Sequence, residues 1–431
     1  MKCKWSKQGC GGCDALDKDY PFQLQEKQQW VQQLLGQYGK PLPILGAEDP
    51  THSRCKVISS FGSAGRNLIS GLYVRNTHKI LPVTGCFLED ETAAQTVEAV
   101  RQAAAACRYT AYDEDRGTGL LRHVLIRRGA ATGQLMVVLV TASPMLPGSK
   151  NFVTRLRQLC PAVTTVVQNI NEKSTSAVLG AQCKTLWGPG YIEDELCGCR
   201  FLISPVSFYQ VNPAQTERLY DFAVKATGLT KDSFILDAYC GTGTIGLVAA
   251  KRSGCSVLGV ESNRAAVQDA IRNAKRNGIS NARFVAEDAG RFMQRLAQSD
   301  EARPDVVFMD PPRAGSDHAF LSSLLKLAPK RVIYISCNPE TQARDLKELV
   351  AGGYRVNSIQ PVDLFPYTKH VETVVLISRE KADDHIRFSI NTEDLKKNVG
   401  GYATYGDIKA YVLEKFGLNV SSLYIAQPKA K

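Results

Sequence analysis

Three short motifs carry the residues able to do chemistry: Asp310-Pro-Pro-Arg313, Ser336-Cys-Asn-Pro339 and Phe365-Pro-Tyr-Thr-Lys-His-Val-Glu372. Asp310 and Cys337 each end an apolar run of strand length, and Glu372 opens another. A thiol nucleophile with a carboxylate base suits alkylation of an unreactive ring carbon. Carbon 5 of uracil cannot displace a sulfonium methyl group unaided. Addition of a thiolate to carbon 6 creates an enolate whose carbon 5 can, and a base then removes the carbon-5 proton so that the thiol is released. The thiolate must be activated, because an ordinary cysteine is mostly protonated at neutral pH. Cys337 and Glu372 fit the two roles. A strand-end cysteine by itself is more often a small packing residue. A lone DPP tetrapeptide equally suits an amino-group methyltransferase of nucleic acid or protein, so the three motifs carry weight only together.

Upstream, Phe234-Ile-Leu-Asp-Ala-Tyr-Cys-Gly-Thr-Gly-Thr-Ile-Gly246 reads as a strand, a glycine-rich turn and a helix start. Gly241 and Gly243 let the backbone approach a ligand closely. Glu261, twenty residues after Gly241 and at the end of the next apolar run, stands where an acid accepts hydrogen bonds from ribose hydroxyls. The turn departs from G-x-G-x-x-G, and with Asp237 ahead of it looks like motif I of class I S-adenosylmethionine methyltransferases. Asp288 stands where such proteins often carry an acid near the adenine.

These residues need a frame. The runs Phe234–Asp237, Ser256–Val260, Asp305–Met309 and Arg331–Ile335 alternate with segments of helical period, which predicts βαβ units and a parallel sheet. Ligands of such sheets bind beyond the carboxyl ends of the strands. A final antiparallel strand would bring Glu372 to the same edge. The fold class expected is α/β: a class I, Rossmann-like S-adenosylmethionine methyltransferase domain with a β-rich α+β central domain. Four segments follow: 1–50, a cysteine loop and a helix with Leu24, Val31, Leu34 and Leu35 on one stripe; 51–200, the central domain; 201–380, the methyltransferase domain; and 381–431, a C-terminal extension with a helix over 407–416 and a strand over 420–426.

Composition narrows the class further. Of 431 residues 44% are hydrophobic and 22% charged, and no apolar run is long enough to span a membrane. The start lacks a secretory signal, so the cytoplasm is the expected compartment and a monomer the expected state. The formal charge of +11, from 53 Lys and Arg against 42 acids, favours a polyanionic partner. Thirteen cysteines in a reducing compartment point to a metal site or a catalytic thiol rather than disulfides. Cys3, Cys10 and Cys13 form a C-x6-C-x2-C run, three of the four thiolates that an iron–sulfur cluster or a zinc ion needs. Cys197 and Cys199 read as alternating positions of one strand.

From Cys3 to about Arg379 the chain resembles the RumA/TrmA family of RNA uridine-5 methyltransferases, through LDAYCGTGTIG, DPPRAG, SCNPET and FPYTKHVE. Ser207-Phe-Tyr-Gln-Val-Asn212, Gln168-Asn-Ile-Asn171 and Leu121-Arg-His123 are similar to its other signatures. The resemblance implies Cys337 as nucleophile, Glu372 as proton acceptor, and S-adenosylmethionine contacts from Gln210, Tyr239, Glu261 and Asp310. It also implies Cys86 as the fourth ligand of a [4Fe-4S] cluster with Cys3, Cys10 and Cys13, zinc being the alternative. Thr244 and Tyr367 depart from the commoner Asn and His. The cysteine cluster resembles the 23S ribosomal RNA members, those without an N-terminal TRAM barrel, rather than the transfer RNA branch. RNA processing is thus the implied role, with 23S ribosomal RNA as partner and transfer RNA as the alternative substrate. The target uridine must be unpaired or flipped out. Arg54, Lys56, Arg66, Arg75, Lys79, Arg122, Arg127 and Arg128, with Phe61 and Tyr73, are expected to help hold RNA.

Overall fold

The computed structural model describes residues 3–16, 18–173 and 177–379, with Gly406, Lys409, Ala410 and Leu413 beyond. Met1–Arg379 form one compact unit and Glu380–Lys431 a second. Lys409, Ala410 and Leu413 are helical; the rest of the helix expected over 407–416, and the strand over 420–426, lie outside the described residues. No described helix is long and apolar enough to cross a membrane.

After an N-terminal cysteine loop comes α1 (Tyr20–Leu35), capped by the Asp19 side chain, which accepts from the Phe22 N–H. Val31 and Leu35 of the expected stripe are buried and Leu34 packs half-buried against the same core, but Leu24 is only half-buried and Gln23 and Lys27 lie inward as well. Two polar residues lie inward because they bond a loop of the catalytic domain, described below.

The central domain is one seven-stranded sheet. It comprises β1 (Lys56–Ala64), β2 (Asn67–Tyr73), β3 (Ile80–Leu81), β4 (Leu121–Arg128), β5 (Leu135–Thr141), β6 (Val163–Ile170) and β7 (Gln182–Trp187), in the order β3-β2-β1-β4-β5-β6-β7. Helices α2 (Glu91–Ala106) and α3 (Ser149–Leu159) cover one face. The β-branched run of β5 is buried throughout, as expected of a strand covered on both faces. Its other face contributes Leu125, Met136, Val138 and Val167 to a core shared with the catalytic domain. A hairpin, β8 (Ile192–Leu196) and β9 (Cys199–Ile203), joins that same core. Cys197 occupies its turn at a φ of 53°, so Cys197 and Cys199 straddle a bend instead of alternating along one strand.

Helix α4 (Pro213–Thr227) leads into the catalytic sheet. Strands β10 (Phe234–Ala238), β11 (Ser256–Glu261), β12 (Ala282–Ala286), β13 (Val306–Met309) and β14 (Arg331–Ser336) are parallel, and α5 (Thr244–Ser253), α6 (Arg264–Arg276), α7 (Ala289–Leu296) and α8 (His318–Leu327) connect them. After α9 (Pro339–Ala351) and β15 (Arg355–Val362), strand β16 (Glu372–Ser378) returns antiparallel. The order β12-β11-β10-β13-β14-β16-β15 places β16 between β14 and β15. The expected α/β class, with a parallel sheet under helices, is what folds.

Candidate active site

The turn after β10 is shaped by its glycines and one aromatic. Gly241 and Gly243 have φ of 55° and 78°, in the left-handed region that glycine adopts freely. A Cβ on Gly243 would meet the Phe284 ring at 2.9 Å, whereas one on Gly241 would meet nothing within 4 Å. The chain is therefore packed behind Gly243 and open at Gly241. Tyr239 holds a φ of 63°, which costs a bulky residue roughly 1–2 kcal/mol. Such strain clusters at ligand-binding turns. Its ring lies 5.3 Å from Phe320, and its hydroxyl is 3.3 Å from Ser316 Oγ.

Asp237 is buried, and its carboxylate accepts the Gly246 N–H at 3.0 Å, tying strand to helix. Burial pushes its carboxyl up to about 8, the Gly246 bond opposes this, and Asp310 and Glu261 add to it. Glu261, at the end of β11, accepts the Gly241 N–H at 3.2 Å and the Asn263 N–H at 2.8 Å. Asp288 caps α7 by accepting the Arg291 N–H. A backbone open at Gly241, beside the carboxylates of Glu261 and Asp310, fits a ligand that bears hydroxyls and a cationic sulfonium.

The second constellation comes from strand register. Ser336 on β14 is paired with Thr373 on β16, so Cys337 and Glu372 follow as cross-strand neighbours. Met309 is paired with Tyr334, which brings Asp310 to the same edge. The electrostatics bear out the grouping. Burial pushes the Glu372 carboxyl up to about 8, Asp310 adds to the shift, and Arg313 opposes it. The Cys337 thiol is pushed up to about 11 by burial, then by Glu372 and Asp310, against Arg313. Asp310 itself rises to about 7 through burial. Three acids this close titrate as a set, not singly. Arg313 is their counter-charge; its Nη1 lies 3.3 Å from His370 Nδ1, and its carbonyl accepts from Asn338 and Thr341. Thus the DPPR and SCNP loops are tied together by hydrogen bonds.

The loop that delivers Glu372 is held from outside the sheet. Lys27 Nζ donates to Asp363 Oδ1 at 2.6 Å and to the Phe365 carbonyl at 3.0 Å, and the Tyr20 hydroxyl donates to Asp363 Oδ2 at 2.8 Å. Gln23 Oε1 accepts the Tyr367 N–H, and Asn212 Nδ2 donates to the Leu364 carbonyl. Gln210 lies in the coil just before Asn212. None of Tyr20, Gln23, Lys27 and Asp363 was legible as functional, because polar helix positions ordinarily face water. The spacing of Gln23 and Lys27, one helical turn apart, was the available signal.

Cys3, Cys10, Cys13 and Cys86 line one cavity of about 500 Å³, which Arg54, His370 and Phe365 also border. Burial raises the Cys13 thiol to about 12; Arg54 opposes this, and Cys86, Cys10 and Cys3 add to it. The four cysteines expected as ligands therefore share one place. Among the described residues no three His, Cys, Asp or Glu side chains are set at metal-binding geometry. The central-domain surface expected to hold RNA is reduced: Arg122 and Arg127 are buried, Arg128 pairs with Asp90, and Phe61 packs in the core beneath α2.

Residues 198–380 match the family described as tRNA (Uracil-5-)-methyltransferase. An uncharacterized RNA methyltransferase of Halalkalibacterium halodurans is 40% identical over 85% of this chain and 81% of its own length. The chain belongs to the RNA uracil-5 methyltransferase family. A second such relative, from Caldanaerobacter subterraneus subsp. tengcongensis, is 39% identical over 86% of this chain and 82% of its own. Among solved structures, the tRNA (uracil-54, C5)-methyltransferase of Pyrococcus abyssi, in complex with S-adenosyl-L-homocysteine, superposes with a TM-score of 0.72 at 27% identity, covering 86% of each chain. This uracil-5 methyltransferase family member is accordingly an S-adenosylmethionine-dependent enzyme with an RNA substrate.

Proposed function

We propose that the enzyme methylates carbon 5 of one uridine in 23S ribosomal RNA, with Cys337 as nucleophile and Glu372 as base. The pairing of Ser336 with Thr373, which sets the thiol beside the carboxylate at the strand ends, carries the reading. Tyr239, Glu261, Asp310 and Gln210 hold S-adenosylmethionine, which supplies a methyl group on a cationic sulfur. The chain's own groups do the rest. Cys337 gives its proton to a neighbouring carboxylate and bonds to carbon 6 of the uracil, so that the electron pair moves to carbon 5. After carbon 5 is methylated, Glu372 takes its proton, the carbon 6–sulfur bond breaks, and the thiolate leaves. A carboxyl raised to about 8 is well matched to accepting a proton near neutral pH. The acids that raise the thiol must be offset by the cationic cofactor when it is bound, since the free thiol at about 11 is almost wholly protonated.

The four-cysteine cavity supports a [4Fe-4S] cluster, held by Cys3, Cys10, Cys13 and Cys86, and with it the ribosomal branch. Iron and acid-labile sulfide in anaerobically purified protein, both lost in Cys86→Ser, are the expected result; zinc in their place would overturn it. The transfer RNA alternative is favoured by the Pyrococcus enzyme, whose name specifies uracil-54 of tRNA.

The deciding experiment uses 5-fluorouridine-substituted RNA with S-adenosylmethionine and denaturing electrophoresis. Fluorine cannot leave as a proton, so a covalent adduct should persist on 23S ribosomal RNA and vanish in Cys337→Ala. An adduct on transfer RNA alone keeps the chemistry and replaces the substrate. Methylation that survives Cys337→Ala would indicate amino-group transfer instead.

A further inference from the structure

Helix α9 carries a carboxylate, Asp345, that is 1% exposed. Its Oδ2 accepts the Ser316 N–H at 2.9 Å and the hydroxyl of Tyr334, on β14, at 2.7 Å. Its Oδ1 accepts Arg344 Nε at 2.8 Å, and Arg344 Nη2 donates in turn to the carbonyls of Ala314 and Ser316 at 3.0 and 3.1 Å. The segment 314–316, which continues the DPPR loop of Asp310, is thereby gripped through both N–H and C=O groups. Gly315 lets the carboxylate come this near: its φ is 79°, and a Cβ on it would lie 2.7 Å from Asp345 Oδ2. Desolvating a carboxylate is costly, and here charge-assisted bonds that fix the Ser316 backbone against α9 offset the cost.

What the grip places is Ser316 Oγ. It lies 3.3 Å from the Tyr239 hydroxyl, and among the described residues nothing else hydrogen-bonds that hydroxyl. Tyr239 stands between the end of β10 and the open turn at Gly241, at a strained φ of 63°, so its own backbone does little to hold the ring. Phe320 packs on the ring from α8, and Ser316 fixes its polar end. A line of contacts thus runs from α9 through Ser316 to the cofactor turn, and neither Cys337 nor Glu372 belongs to it.

We propose that Asp345 is a positioning residue for the cofactor: by fixing Ser316 it sets the hydroxyl that aims the Tyr239 ring at S-adenosylmethionine. A ring held in place before the ligand arrives loses less freedom on binding, so affinity depends on a residue that the ligand never touches. The inference rests on the reading of Tyr239 as a cofactor contact, and the tests separate the two.

Isothermal titration of the full chain with S-adenosyl-L-homocysteine reads the site without RNA. Ser316→Ala and Tyr239→Phe should each weaken binding about threefold to tenfold, the worth of one net hydrogen bond. Because both remove the same bond, the double variant should be no weaker than either alone. Asp345→Ala should weaken binding at least as much, with one site per chain retained, and Ser316→Ala should add nothing to it. Asp345→Asn, whose amide oxygen still accepts from Ser316 and Tyr334, should recover most of the affinity. Where Asp345→Ala does not fold, the cycle of Ser316→Ala and Tyr239→Phe still decides. Wild-type affinity in Ser316→Ala, or losses that add in full in the double variant, would overturn the positioning role. So would a loss in Asp345→Asn as large as that in Asp345→Ala. If Tyr239→Ala weakens binding while Ser316→Ala and Asp345→Ala do not, the positioning role alone falls. Wild-type affinity in Tyr239→Ala sinks the reading of Tyr239 as a cofactor contact, and the inference with it.

Discussion

Replacing the base should make the nucleophile more reactive. Glu372 and Cys337 follow a paired position of an antiparallel ladder, where facing residues lie about 5 Å apart. At an effective dielectric of about 20, a unit charge at that distance is worth about 3 kcal/mol, or about 2 pKa units on its neighbour. The thiol is only partly buried, so solvent screening reduces this to about one unit. A carboxylate favours the neutral thiol, and its removal must therefore lower the thiol pKa from its present value of about 11. Glu372→Gln should alkylate at Cys337 with iodoacetamide about tenfold faster at pH 9, where the wild-type carboxyl, with its pKa of about 8, is ionised. Mass spectrometry of the Cys337 peptide across pH 7–11 distinguishes it from the other twelve cysteines. Methyl transfer by the same variant should stall at the covalent adduct. Equal rates at pH 9, or a slower variant, would show that the carboxylate does not face the thiol, and the strand-register argument would fall with it.

Two further perturbations address the frame of the site. Lys27→Met strands Asp363, which is 0% exposed, without its ion-pair partner, and should cost about 3–5 kcal/mol in urea unfolding; a Lys27→Met/Asp363→Leu double variant should recover most of it. Asp310→Asn removes a carboxyl whose folded pKa of about 7 exceeds its ordinary 3.8. The folded wild type holds the extra proton between those values, so its stability falls as pH rises from about 4 to about 7. The variant lacks that loss; without cofactor it should gain about 1–3 kcal/mol on the wild type at pH 8, about a third of that at pH 5 and almost nothing at pH 3.5, read by urea midpoints.

The catalytic sheet was legible because its strands are buried apolar runs broken by glycine turns, and because chemistry sits where such strands end. Cys337, Asp310 and Glu372 could be placed at one edge from the motifs and an antiparallel last strand. The support of that edge was hidden. Gln23 and Lys27 look like the wet side of an amphipathic helix until Asp363 is seen opposite them, more than 330 residues later. Arg122 and Arg127 look like surface charges in a strand pattern, yet both are buried, one by Glu114 and one against Ser207. Pattern gives a residue's face; its partner depends on contacts that no local period encodes.

The insertion of β16 between β14 and β15 bears on how the chain matures. The proposed nucleophile and base come from neighbouring strands, but Glu372 emerges from the ribosome 35 residues after Cys337, and among the described strands β15 pairs only with β16. A nascent chain that has reached Val362 therefore has a sheet with a vacant slot and a thiol without its carboxylate. Late, non-local pairing of this kind is slow. Completion of the sheet and completion of the proposed reactive pair are then one event.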